Sequence, residues 1–417
     1  MPQMSLTHKT RLVSHYFYEL RFREIYNMIF WVYPFWWNRK LSSVIMNKLL
    51  PRLGIDLFPP FLEIEPTTAC QYKCVCCEHT YWNEPARIMK FETFKKIFDG
   101  FGKPKWLGLT GIGTSYLNKD YHKMLSYAKS KGTLIETFDH FNDLKDDDHI
   151  KELINTGMDF LFISIYGGTK ESYEKVMQKG NFDKAMHNIK RFVALKKQMK
   201  KRFPLLSFHY IITRDSKDSL LPFLDFVHSL DTEIAEVLVT PMSHAFKEAR
   251  EFAVSIDEEY VRELREKAKR LGIEITINFN SKKDAEGLEK RPPIHNCKEL
   301  SMPFIFSNGD ITPCCSLNEA NRRDWQHGTS LGNAAEKSIK EIWYSPRYKR
   351  MRKMIRNNEV PPECIYCPAY DLSNIRKEEI EESNRLAREK NPEMMGKPLV
   401  TPIVFDRNKS NVIQIRQ

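Results

Sequence analysis

The sequence predicts an α/β fold: a six-stranded parallel sheet that curls without closing, followed by a small cysteine-bearing domain. Three observations carry this. Between residues 61 and 240, strand-like apolar runs alternate with stretches of helical periodicity, the pattern of successive β/α units. A loop rich in charge and proline (281–294) then ends that pattern. Six cysteines fall in tight clusters, at 70, 74, 76, 77 and at 364, 367.

Taken in order, residues 1–60 form an aromatic, basic leader. Its run Met28–Trp37 (MIFWVYPFWW) is flanked by Arg21, Arg23, Arg39 and Lys40. A spanning helix needs about 20 apolar residues, so this run is too short, and Pro34 interrupts it. Two readings stay open: an element in the membrane interface, or a helix packing its aromatics on the sheet or on a second subunit. Strands are expected at 61–65, 106–110, 133–138, 160–165, 206–212 and 235–240, and helices at 91–99, 119–130, 147–156, 182–199 and 217–229. Phe182, Met186, Ile189 and Val193 give the fourth of these helices one buried stripe. A helix at 257–271 and a strand at 273–278 complete the first domain, 61–280. The second domain spans 295–370, and a tail with a charged helical stretch spans 371–417.

A chain of 417 residues with 41% hydrophobic content is too long for one ordinary core and rich enough for two. Net charge is +11, which fits a basic solvated surface or an anionic partner. No nucleic-acid module and no glycine-rich phosphate loop occurs, so nucleic acid is not expected. Clustered thiols without a cleavable signal segment argue for metal in a reducing compartment. The chain is therefore expected in the cytoplasm, with a peripheral position at a membrane surface left open by the leader.

Cys70, Cys74 and Cys77 form a C-x3-C-x2-C run directly after the first strand. Three thiolates on one loop suit a 4Fe–4S cluster whose fourth iron has no protein ligand and is open to a small molecule. A zinc site on Cys74, Cys77 and His79 is the alternative, since C-x2-C is also a zinc spacing. The loop resembles the signature of the radical S-adenosylmethionine (SAM) family. LFISIYGGTKESYEKV (161–176) and NFDKAMHNIKRFVALKK (181–197) look like that family's fourth strand and following helices. FIFSNGDITPCC, LGNAAEKSIKEIW and PPECIYC look like its C-terminal SPASM/twitch auxiliary-cluster region.

The resemblance implies a partial (β/α)6 TIM-like barrel that cleaves SAM reductively. The 5′-deoxyadenosyl radical so formed would take hydrogen from a substrate, with electrons from a donor such as ferredoxin or flavodoxin. It also assigns candidate SAM contacts. Gly111 and Gly113 stand where the family carries a Gly-Gly-Glu-Pro-like motif; the Glu is absent, and Thr114 and Ser115 stand near its place. Thr137 matches a Thr-Asn-Gly turn lacking its last two residues, and Ser164 matches a strand-four contact. Cys76 departs from the aromatic that usually faces adenine. Asp139, His140 and Tyr166 are candidate acid–base groups only by being near strand ends.

The second site draws on Cys297, Cys314, Cys315, Cys364 and Cys367. Four thiolates make a closed auxiliary 4Fe–4S cluster of the shorter, twitch kind; a structural zinc is the alternative. Cys314, directly after Pro313, is preferred to Cys315. The substrate is open. The aromatic leader tilts toward a hydrophobic or lipid-linked one; peptide maturation and alcohol dehydrogenation are alternatives. An iron–sulfur electron carrier or redox sensor, or a zinc-stabilised binding protein, is a reading of another class.

Overall fold

A computed structural model describes residues 6–45, 49–81, 85–241, 251–254, 256–277, 297, 301–315, 323–357, 359 and 361–364. The expected domain boundary (281–294), Cys367 and the tail 371–417 lie outside the described residues.

The six expected strands form, as Phe61–Ile64 (β1), Trp106–Leu109 (β3), Leu134–Asp139 (β4), Phe160–Ser164 (β5), Leu205–Ile212 (β7) and Ile234–Pro241 (β8). They pair in parallel in that order. The strand expected at 273–278 forms at Ile275–Ile277 (β9) and adds a seventh parallel member beside β8. Lys73–Cys74 (β2) pairs antiparallel with Met177–Gln178 (β6), which fastens the cysteine loop to the segment after helix Lys170–Val176.

The second domain is less separate than its small size suggested. Its hairpin, Phe304–Ile305 (β10) and Ile311–Thr312 (β11), joins the sheet edge, with β10 parallel to β1. Glu63 N–H donates to Pro303 O at 3.0 Å and Glu65 N–H to Ile305 O at 2.8 Å. Helices Ile339–Trp343 and Pro346–Arg356 then grip the segment entering β1. Trp343 Nε1–H donates to Leu57 O at 3.1 Å, and Arg356 pairs with Asp56 at 2.8 Å.

Side-chain alternation along the strands separates two cores. Leu62, Ile64, Leu107, Leu109, Leu161 and Phe208 pack outward against the helices in one cluster. Phe61, Trp106, Leu134, Phe160 and Leu205 pack together at the amino ends of the strands, the floor of the barrel. The leader closes that floor, as helices Leu6–Tyr18 and Phe22–Asn27 running into a π-helix, Met28–Trp37. Leu12, Tyr16, Ile25, Met28, Val32 and Phe35 enter the floor cluster. Tyr16 stacks on Phe203 at 4.5 Å and its hydroxyl donates to Asp159 at 3.1 Å, while Asn27 Nδ2–H donates to Gly132 O at 2.9 Å. The ten-residue aromatic run is thus divided: part of it is core, and Ile29, Phe30 and Tyr33 remain exposed. Among the described residues no helix is long and apolar enough to cross a membrane.

Candidate active site and auxiliary cysteine site

The loop carrying Cys70, Cys74 and Cys77 leaves the carboxyl end of β1, where ligands of such sheets collect. Cys70 lines a cavity of about 320 Å³ with Gln71, Lys73, His79 and Leu117. Burial pushes the thiols of Cys74 and Cys77 up. Their cysteine neighbours push the same way, Cys76 and Cys70 on Cys74 and chiefly Cys74 on Cys77. Thiols gathered this closely need a cationic partner to be thiolates together, which is what an iron–sulfur cluster provides. The residues present therefore fit such a group. Among the described residues no three His, Cys, Asp or Glu side chains are arranged to hold a single metal ion.

Gly111 and Gly113 owe their identity to close packing. A Cβ at Gly113 would meet Thr67 O at 2.5 Å and Ala69 O at 2.6 Å; one at Gly111 would strike the Glu65 side chain. The turn after β3 therefore lies directly on the backbone that leads into the cysteine loop. Thr114, in the place near the missing Glu, donates from Oγ1 to Cys70 Sγ at 3.3 Å. His140 Nε2 lies 3.3 Å from the same oxygen. Asn142 N–H donates to His140 Nδ1 at 3.3 Å, so the ring proton sits on Nε2, which faces both Thr114 Oγ1 and, at 3.5 Å, Asp143 Oδ2. Burial pushes His140 down to about 4, which keeps it neutral. Its ring packs edge-on against Tyr72 at 4.2 Å, and Asp143 accepts from the Tyr72 hydroxyl at 3.2 Å.

Other sequence candidates resolve differently. Ser115 is buried in packing. Thr137 is not at the mouth: it is 1% exposed, hydrogen-bonds to Tyr121, and donates to Leu109 O at 3.1 Å. Strand alternation turns it toward the helices, opposite to its neighbours Glu136 and Phe138. Asp139 caps Phe141 N–H at 2.5 Å, and burial pushes its carboxyl well above the usual carboxylate range, a structural role. Cys76 is buried with Val75 and Val176, and Tyr81 and Tyr166 pack on that cluster, so aromatic rings stand beside it. Ser164 ends β5 inside the curl, opposite His209 in register, and Tyr166 meets the His209 ring at 5.7 Å.

Residues not singled out in the sequence line the interior. Alternation turns Glu63, Gly108, Glu136, Phe162, Ser207 and Glu236 to the interior; Glu63, Gly108 and Glu136 lie in register with Phe160 of the floor, and Phe162, Ser207 and Glu236 lie one level higher. His209 sits above Ser207; burial pushes it down to about 4, and Nε2 lies 3.0 Å from Thr240 Oγ1. Glu65, wholly buried, accepts from Ser307 N–H at 3.1 Å, tying the mouth to the second domain. The alternating acids in FLEIEP were the available signal for Glu63 and Glu65.

In the second site, the Asn308–Asp310 turn is locked around Asp310. Its carboxylate meets His327 Nδ1 at 2.6 Å and accepts from Asn308 Nδ2 at 2.7 Å and Asn333 Nδ2 at 3.1 Å. Gly309, at φ +92°, has no room for a Cβ beside Asn333. Cys314 is buried and Cys315 is half-buried. Arg347 pairs with buried Glu363 at 3.1 Å and donates to Thr329 O at 2.7 Å, which pins the turn bearing Cys364 to helix Pro346–Arg356. On that helix Tyr348 is fully buried, and Cys314 and Cys364 are both in its electrostatic neighbourhood.

Comparison with known proteins agrees with this geometry. The radical SAM superfamily model matches residues 64–227, and a SPASM iron–sulfur cluster-binding domain model matches 297–368. A curated relative from Pyrococcus furiosus, the tungsten-containing aldehyde ferredoxin oxidoreductase cofactor-modifying protein, is 22% identical over 76% of this chain and 89% of its own. Streptococcus suis SuiB bound to S-adenosylmethionine shares the fold at TM-score 0.58 and 17% identity, covering 79% of this chain and 80% of that one. SuiB bound to the precursor peptide SuiA gives 0.57 and 18%, covering 73% and 69%. The chain thus carries a radical SAM domain, with the 4Fe–4S cluster and SAM that such a domain implies, and a SPASM iron–sulfur cluster-binding domain.

Proposed function

We propose that this enzyme holds its SAM-cleaving cluster on Cys70, Cys74 and Cys77 and abstracts hydrogen from a polar substrate in the barrel interior. The observation that carries it is the gathering of these three thiols at the carboxyl end of β1, above an interior lined by Glu63, Glu136, Ser207, Glu236 and His209. When bound, the cluster supplies the single electron that breaks a carbon–sulfur bond of SAM. Thr114 orients Cys70; Gly111 and Gly113 let the turn after β3 close on the loop; Ser164 stands in reach of a ligand at the mouth. The floor aromatics and the leader exclude water from below.

The auxiliary cluster would rest on Cys297, Cys314, Cys364 and Cys367. Cys314 is preferred to Cys315 because it is the more buried and shares the Tyr348 neighbourhood with Cys364. The hydrophobic or lipid-linked substrate expected from the leader loses its support, since the leader seals the end opposite the mouth. Cofactor or peptide modification gains some, because one relative is named for modifying a cofactor and one structural neighbour is bound to a precursor peptide. A ferredoxin- or flavodoxin-like donor suits the net charge of +11, and peripheral membrane attachment through the leader belongs to the same reading.

Anaerobic reconstitution with SAM and dithionite tests the assignment. The full chain should release 5′-deoxyadenosine. The triple variant Cys70→Ala/Cys74→Ala/Cys77→Ala should release none and keep about half the iron, that of one of two four-iron clusters. Continued cleavage by the triple variant would falsify the ligand set.

A further inference from the structure

The stretch Phe22–Trp37 is apolar on two faces. Ile25, Met28, Val32 and Phe35 enter the barrel floor. Phe22, Tyr26, Ile29, Phe30 and Tyr33 recur at helical spacing on the other side, and Phe30 is 59% and Tyr26 50% exposed. The Tyr26 and Phe30 rings lie 4.9 Å apart, a continuous aromatic surface. The turn before it adds Tyr18 at 65% and Leu20 at 73%. Among the described residues, nearly every large exposed hydrophobic lies in this leader; Ile88 is the exception. A face of this kind is a contact surface, and the charge around it says for what.

Of the floor loops that touch the leader, the one before β8 does so through Glu233, which meets His15 at 2.6 Å, and three others present exposed base. Lys105 lies over the Trp31 ring at 5.6 Å, two residues from exposed Lys103. Gly132, which accepts from Asn27, follows exposed Lys131. Arg202 lies over the Tyr18 ring at 5.0 Å, beside exposed Lys200 and Lys201. Glu24 and Asp159 are turned inward and each pair with Lys129 at 2.8 Å, and Glu19 pairs with Arg21 at 2.7 Å, while Asp231 on the loop before β8 is an exposed acid that meets Lys197 at 3.0 Å. What faces outward is an aromatic stripe with tyrosines along it, bordered by exposed base on three loops and by Asp231 on the loop before β8.

We propose that this face docks on an anionic lipid surface, the leader lying in the interfacial plane and the barrel mouth opening away from the bilayer into water. This deepens the leader attachment proposed above and is independent of the radical chemistry. Aromatic side chains suit the headgroup boundary, and the lysines add attraction to anionic lipid that salt weakens. The orientation delivers substrate from the aqueous side while the enzyme stays at the membrane.

Sedimentation with vesicles, read without SAM, tests this. The full chain should bind phosphatidylcholine vesicles containing phosphatidylglycerol, bind pure phosphatidylcholine far less, and be released by salt. Phe30→Glu/Tyr33→Glu should weaken binding by more than about tenfold, since two aromatic contacts are lost. Lys200→Glu/Lys201→Glu, on an exposed loop, should weaken only the anionic component, and both variants should retain SAM cleavage. The proposal is overturned if the full chain ignores anionic vesicles. It is equally overturned if the lysine variant binds like the parent, or if the chain is a dimer that Phe30→Glu dissociates, which would make a second copy the occupant. Loss of SAM cleavage in the parent chain would instead count against the radical reading alone.

Discussion

Thr114 Oγ1 lies 3.3 Å from Cys70 Sγ and 3.3 Å from His140 Nε2, so one hydroxyl links a cysteine of the loop to a buried neutral histidine. The Thr114 hydroxyl donates to sulfur; Asn142 N–H occupies His140 Nδ1, which leaves the ring proton on Nε2, between Thr114 Oγ1 and Asp143 Oδ2 at 3.5 Å. A family carboxylate at this place would carry charge; a hydroxyl does not, and it acts on the Cys70 sulfur instead.

Thr114→Val should therefore lower the reduction potential of the first cluster. A hydrogen bond worth about 0.5–1.5 kcal/mol corresponds to roughly 20–65 mV for a one-electron couple. A potentiometric titration followed by electron paramagnetic resonance reads this, and Thr114→Ser should restore the parent value. An unchanged potential in the valine variant would mean that the hydroxyl does not reach the sulfur.

Gly113→Ala should impair the first cluster without touching the second. Its Cβ would press on backbone oxygens of Thr67 and Ala69, which cannot rotate away as a flexible side chain would. The expected result is loss of up to half of the reconstituted iron, with the auxiliary signal intact. Normal iron loading would show that the turn has slack.

Arg347→Ala leaves Glu363 buried without its guanidinium. Removing one partner of a buried pair costs about 3–5 kcal/mol. The loss should be local: faster proteolysis within 297–368 and reduced auxiliary iron, while the barrel keeps its cluster.

Asp310 gives the second domain an acid limit. Burial opposes the charge, but His327 and the amides of Asn308 and Asn333 outweigh it and hold the carboxyl below its ordinary 3.8. A lowered folded value contributes stability that is full above the unfolded value and is lost as pH falls through the folded one. The hairpin should therefore loosen below about pH 4. Asp310→Asn should lower stability at neutral pH and remove that part of the acid dependence, as read by melting temperature against pH.

The sequence alone determined the order of β/α units, because buried parallel strands are apolar runs separated by helical stripes, as 160–165 and 182–199 show. It also determined the cysteine spacing and hence the metal chemistry, since ligand type and separation along one loop are local properties. What each polar residue does was decided by tertiary structure. Thr114 reaches Cys70 from the loop after β3, while Thr137, within β4, is turned into the helix layer by strand alternation. Glu65 meets Ser307 across more than 200 positions of chain, which no local pattern encodes. The leader shows the same limit: its composition announced an aromatic surface, but only packing on Trp106, Phe160 and Phe203 decided which half became core and which half faces outward.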